Sequence, residues 1–173
     1  GQQLDGVFAM DVYTIAALMQ ITGSVDVPSA GVSVTPENAI EFLLHDQYLQ
    51  IQDTPQRVDA LEIVAKTTID RLLTSDLPSP VDMAELLAPY VSQRRLMGWS
   101  PVPAEQAVMT TLGADGALPV PGTGDAAAVV VNNAGNGKID YYLDGRMSYD
   151  VTTGDDTTVT ATLTVDLSNS APA

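Results

Sequence analysis

Leu4-Asp5-Gly6-Val7-Phe8-Ala9-Met10-Asp11-Val12-Tyr13-Thr14-Ile15-Ala16-Ala17-Leu18-Met19-Gln20-Ile21-Thr22-Gly23-Ser24-Val25-Asp26-Val27-Pro28 is the stretch that decides the reading of the chain. Residues 7–10 form a near-continuous apolar run, which predicts a strand covered on both faces. Asp11 stands where its carboxylate can cap a helix. Val12, Ile15, Ala16 and Met19 fall at i, i+3, i+4 and i+7, so a helix over about 12–21 carries one apolar face. Gly23 suits the turn that ends a helix, and residues 24–27 return as a second strand. Strand, helix and returning strand predict a sheet with a helix packed on it. The first strand is expected inside that sheet, with Ile15 and Met19 packed against it.

Working outward, Thr35-Pro36, Thr54-Pro55, Ser79-Pro80 and Ser100-Pro101 each place a hydroxyl cap before a proline. Proline suits the first helical position because its missing N–H would be unpaired there anyway. Residues 31–34 form a short strand or extended lead-in. The helix after Thr35 turns Ile40, Leu43, Leu44 and Tyr48 to one face. The helix after Thr54 runs to about Leu73 with Val58, Leu61, Ala65, Ile69 and Leu72 inward. The helix after Ser79 uses Met83, Leu86, Leu87 and Tyr90, and Pro89 should kink or shorten it. Residues 94–99 lead into a short strand, and a further helix over about 104–112 stops at Gly113.

Gly116, Pro119, Pro121, Gly122 and Gly124 make residues 114–125 a loop and the candidate internal boundary. Residues 127–131 read as a buried-type strand. Residues 146–152 and 157–167 alternate, and Thr153-Gly154-Asp155-Asp156 joins them as a hairpin. The fold class is therefore α/β: a central mixed sheet flanked by helices, with a C-terminal β-hairpin segment. Residues 1–125 form the α/β region and 126–173 a mainly β segment, read as parts of the same domain.

The 173 residues are enough for one domain with a real core, and the apolar content of 45% is ordinary. A net charge of −15, from 22 acids and 7 bases, argues against nucleic acid and anionic membrane surfaces as partners. The absence of cysteine removes disulfides, thiolate metal sites and cysteine nucleophiles. No apolar run approaches the roughly 20 residues of a membrane helix. Gly1-Gln2-Gln3 leads straight into a strand, so the chain is expected to be a piece of something longer, with any membrane anchor outside it.

The candidate chemistry is sparse. His45, the only histidine, would have to serve any Ser–His–Asp arrangement, and a multi-histidine metal site is excluded; a surface or packing role is its simplest reading. Asn132 to Asp140 fails the calcium-loop pattern, because positions 3 and 12 fall on Ala134 and Leu143. Asp5 and Asp11 bracket the first strand and could pair on magnesium, although a helix cap at Asp11 and a turn at Asp5 are the simpler reading. Arg94-Arg95 is the only basic pair, and it suits a helix C-terminus. No metal and no cofactor is expected.

Residues 5–11, continued by Ile15-Ala16-Ala17-Leu18 and residues 22–27, resemble a domain family of unknown function found in membrane-anchored proteins of actinobacteria and other Gram-positives. The likeness extends through residues 96–100 and Glu105-Gln106, and is strongest at residues 137–144. The same segments are distantly similar to the LytR-CpsA-Psr family, envelope enzymes that transfer glycopolymers from a polyprenyl-pyrophosphate lipid. Ala39 stands in one segment of that pattern, and Asp53 to Arg57 opens the long helix. The Arg-x-Arg pair that would hold the pyrophosphate is replaced by Leu43-Leu44-His45-Asp46-Gln47. The resemblance implies an α/β core outside the cell membrane, not catalysis. It leaves Arg57, with Asp5 and Asp11, as candidate ligand-binding residues. The implied partner is a cell-wall or lipid-linked glycopolymer, with the membrane reached only through an anchor elsewhere. A polyprenyl-lipid or small-ligand binding module is the other reading.

Overall fold

The computed structural model describes residues 3–118, 125–131, 139–154 and 158–172. The chain divides into two compact units, Gly1–Ala117 and Leu118–Ala173. The first is mixed α/β, and the second is a β-hairpin with a short 3₁₀ turn, so the chain as a whole is of mixed α/β class.

In the first unit the elements run β1 (Val7–Met10), α1 (Val12–Thr22), β2 (Val25–Val27), β3 (Val32–Val34), α2 (Ala39–Glu41), a π-turn (Phe42–Asp46) and α3 (Gln47–Gln50). They continue with α4 (Thr54–Thr74), α5 (Pro80–Ser92), β4 (Leu96–Trp99) and α6 (Pro103–Thr111). Helix α1 is the hub, with every residue from Thr14 to Met19 buried. The Asp11 carboxylate accepts the Thr14 N–H at 3.1 Å, and Gly23 ends the helix at φ 80° while its N–H bonds Met19 at 2.8 Å. Around α1 lie α4, α2, α5 and β1. The core joins Ile15 and Met19 to Val25, Val27, Val34, Phe42, Leu43, Ile51, Ala60 and Val64. Each such large side chain withdrawn from water contributes about 1.5–3 kcal/mol before the entropy of ordering is counted.

The strands do not build one central mixed sheet. Among the described residues they form three two-stranded antiparallel ribbons, β1–β4, β2–β3 and β5–β6. The reason is visible in β2: Val25 and Val27 are buried while Asp26 is exposed. That alternation belongs to a ribbon covered on one side, not to a strand sandwiched between helices. β1 accordingly pairs with β4, Phe8 opposite Gly98 and Met10 opposite Leu96. It is not interior: Phe8 is 63% exposed. The Met10 end alone reaches the core.

Two helix faces also differ from the expectation. α4 buries Ala60, Val64 and Thr68, whereas Val58 and Leu61 are exposed. Small residues at i, i+4, i+8 let α4 approach α1 closely, and the larger apolar residues flank the contact. In residues 39–50 the Gln47 N–H reaches back to the Phe42 carbonyl, a five-residue turn that shifts the inward face by one position. Phe42 and Gln47 are therefore buried with Leu43, and Ile40, Leu44 and Tyr48 are half-buried.

Caps follow the hydroxyl–proline signature unevenly. Thr35 and Asn38 bond each other's N–H reciprocally, at 2.8 and 3.4 Å. The Ser79 hydroxyl accepts the Asp82 N–H at 3.2 Å. Thr54 makes no cap bond; its hydroxyl receives the Arg57 guanidinium at 2.7 Å. α6 begins only at Pro103. Helix α5 continues through Pro89 to Ser92.

The second unit contains a 3₁₀ turn (Ile139–Tyr142) and the hairpin β5 (Leu143–Thr153) and β6 (Val159–Asn169), paired along eleven positions from Leu143↔Asn169 to Thr153↔Val159. The C-terminal hairpin read from the alternation is present. Residues 127–131 are not a strand, and Val129, Val130 and Val131 are exposed. The asparagine–glycine loop 132–138 lies outside the described residues.

Candidate functional site

The singled-out polar residues do not converge. Asp5 and Asp11 lie beyond opposite ends of the four-residue strand β1, which alone spans roughly 13 Å at 3.3 Å per residue. Asp11 caps α1 and takes the Arg95 guanidinium at 2.5 Å. That guanidinium also lies 4.0 Å over the Tyr13 ring, and the Arg95 carbonyl accepts the Asp11 N–H. Arg95 thus binds the start of α1 to the entry of β4. Arg57 donates to the Ile51 and Gln52 carbonyls at 2.7 and 3.0 Å and lies 5.4 Å over the Tyr48 ring, which pins the turn before α4. His45 Nδ1 lies 2.8 Å from an Asp46 carboxylate oxygen.

The remaining cations of the first unit are also engaged. Lys66 meets Asp70 one turn on, and that carboxylate holds the ammonium above its ordinary pKa. Arg71 donates to the Thr22 and Ser24 carbonyls, and Arg94 to the Ala117 carbonyl. Among the described residues no group of three or more acidic, histidine or cysteine side chains is placed to hold a metal.

What the fold does assemble is an apolar cleft of about 630 Å³ in the first unit. One wall is α5, through Met83, Leu87 and Val91; the floor is the β1–β4 ribbon, through Phe8, Met97 and Gly98; the other wall is α6, through Val108, Met109 and Leu112. Among the described residues of its lining only Ser92 and Glu105 carry polar side chains. α5 and α6 each have an apolar face yet no wholly buried residue, since both turn that face to the cleft.

Gly98 sets the floor. A Cβ there would stand 2.8 Å from Met109 Sδ and 3.0 Å from Phe8 Cε1. Its lack of a side chain lets the helix α6 methionine lie across the strand. At the α6 end, Ser100 is buried and ties the helix start down: its N–H donates to Gln106 at 2.9 Å and its hydroxyl to Glu105 Oε2 at 2.6 Å.

The lining of this cleft has almost no reactive side chain. The available signal is methionine. Met83, Met97 and Met109, half of the chain's six, line it, and methionine is the side chain of adaptable apolar binding surfaces.

The family model described as "Protein of unknown function (DUF4012)" matches residues 1–48, the segment containing β1, the hub helix α1 and the β2–β3 ribbon. No curated protein and no solved structure matches the chain.

Proposed function

We propose that the first unit is a non-catalytic binding module that holds the apolar part of a ligand in the α5/β1–β4/α6 cleft. We further propose that it belongs to a membrane-anchored protein of the cell envelope and works outside the membrane. The cleft carries the first part: its volume lies in the range of small-molecule pockets, and its lining is almost wholly apolar. The sequence resemblance to envelope proteins supports the second.

Transfer of a glycopolymer from a lipid pyrophosphate is the less favoured reading. It requires clustered cations or magnesium against several negative charges. Arg57 is held by two carbonyls and a hydroxyl, and among the described residues no arginine or lysine lines the cleft. A lipid-linked glycopolymer would have to leave its pyrophosphate outside, in the field of a chain with net charge −15. Geranyl pyrophosphate is therefore expected to bind more weakly than about 10 μM, with or without magnesium.

The test is calorimetric titration with linear alcohols of increasing length. Affinity should rise by about 0.8 kcal/mol per methylene, the transfer free energy of one CH₂, until the cleft is full. Gly98→Leu, which places a side chain on the floor, should weaken every member of the series. Affinity independent of chain length, or unaffected by Gly98→Leu in a folded protein, would reject the reading.

A further inference from the structure

We infer that the cleft discriminates by head-group charge, taking an apolar chain that ends in an ammonium in preference to one that ends in a carboxylate, sulfate or phosphate. This rests on the cleft being a ligand site. Glu105 is the one ionisable residue among the described residues of the lining. The Ser100 hydroxyl, 2.6 Å from Oε2, fixes its carboxylate at the start of α6, and Ser100 itself is buried. Among the described residues no ion pair to Glu105 is formed, and Arg94 and Arg95, the nearest bases in sequence, are committed to the Ala117 carbonyl and to Asp11. The net charge of −15 extends the bias to approach, concentrating cations and repelling anions.

The experiment compares three eight-carbon probes below their aggregation concentrations: octyltrimethylammonium, 1-octanol and octanoate. The cation should bind about tenfold more tightly than octanoate, with octanol between them, as expected for one solvent-exposed charge contact that attracts the first head group and repels the second. Glu105→Gln, at an exposed position, should remove most of the difference between the cation and octanoate. Salt at roughly 1 M, where the screening length is about 3 Å, should do the same in the unmutated protein. Octanoate binding as well as the cation, or a preference untouched by both Glu105→Gln and salt, would overturn the inference while leaving the apolar site standing. Binding of none of the three would overturn both.

Discussion

Two antiparallel ribbons in this protein carry the same sequence pattern and meet opposite fates. In β2–β3, Val25, Val27 and Val34 alternate with Asp26 and Ser33, and the valines are buried beneath α1 and α4. In β5–β6, the pairs Met147↔Val165, Tyr149↔Leu163 and Val151↔Ala161 form an apolar face, and Ser148↔Thr164 and Asp150↔Thr162 a polar one. There Met147, Val151, Leu163, Val165 and Leu167 are exposed. Among the described residues the whole buried core lies in the first unit. Alternation tells which side of a strand is apolar; only the elements that pack on it decide whether that side leaves water. A two-stranded ribbon has little stability of its own in water, so the stability of the first unit should be indifferent to what happens in the hairpin.

The largest effect should come from placing a charge on each side of that comparison. Ile15→Asp buries an unpaired carboxylate in the hub helix and should cost more than about 4 kcal/mol, abolishing cooperative unfolding. Leu163→Asp, on the exposed ribbon, should change the midpoint by less than about 1 kcal/mol. Equal effects by urea denaturation would break the comparison. Within the first unit, Val64→Ala should cost about 2 kcal/mol through lost burial and cavity formation, whereas Leu61→Ala, one turn away on the exposed side, should cost less than about 0.5 kcal/mol. Asp11→Ala removes both the α1 cap and the partner of Arg95, and should cost about 1–2 kcal/mol.

The smallest effect belongs to the second unit. The Tyr149 hydroxyl donates to the Asp125 carboxylate. That bond holds the Asp125 carboxyl below its usual range and pushes the Tyr149 phenol above its own. The contact needs a protonated phenol and an ionised carboxylate. Its contribution is present above the unfolded carboxyl pKa and lost as pH falls through the depressed value. It is likewise present below the unfolded phenol pKa and lost as pH rises through the raised one. The tether should therefore persist from about pH 4 to about pH 10. Tyr149 ring resonances should titrate above the ordinary tyrosine range, and Asp125→Asn should return them to it.

Local chemistry was legible in the sequence; long-range covering was not. The Asp11 cap, the Gly23 stop and the Ser79 start are each decided within four residues, by a side chain competing for a nearby N–H or by a permitted φ. The burial of β1 is not legible in the sequence, because an apolar run of four is the same whether one face is covered or two. The α4 face was misread because the close contact uses Ala60, Val64 and Thr68, while the larger Val58 and Leu61 dominate any hydrophobicity pattern. Arg57 and Asp11 were visible as charged residues, but their carbonyl and arginine partners depend on how the chain folds back. The cleft was least legible of all, since it gathers Phe8, Met83, Met97 and Met109 from across the first unit and has no motif.

The cleft can be tested most directly through the methionines themselves. With the six methionine methyl groups labelled for NMR, titration with 1-octanol should shift Met83, Met97 and Met109, which line the cleft, and leave Met10, Met19 and Met147 in place. Shifts in all six, or in Met147 alone on the exposed hairpin, would show nonspecific apolar adsorption. Those outcomes, like the absence of any shift, would contradict a ligand site between α5, the β1–β4 ribbon and α6.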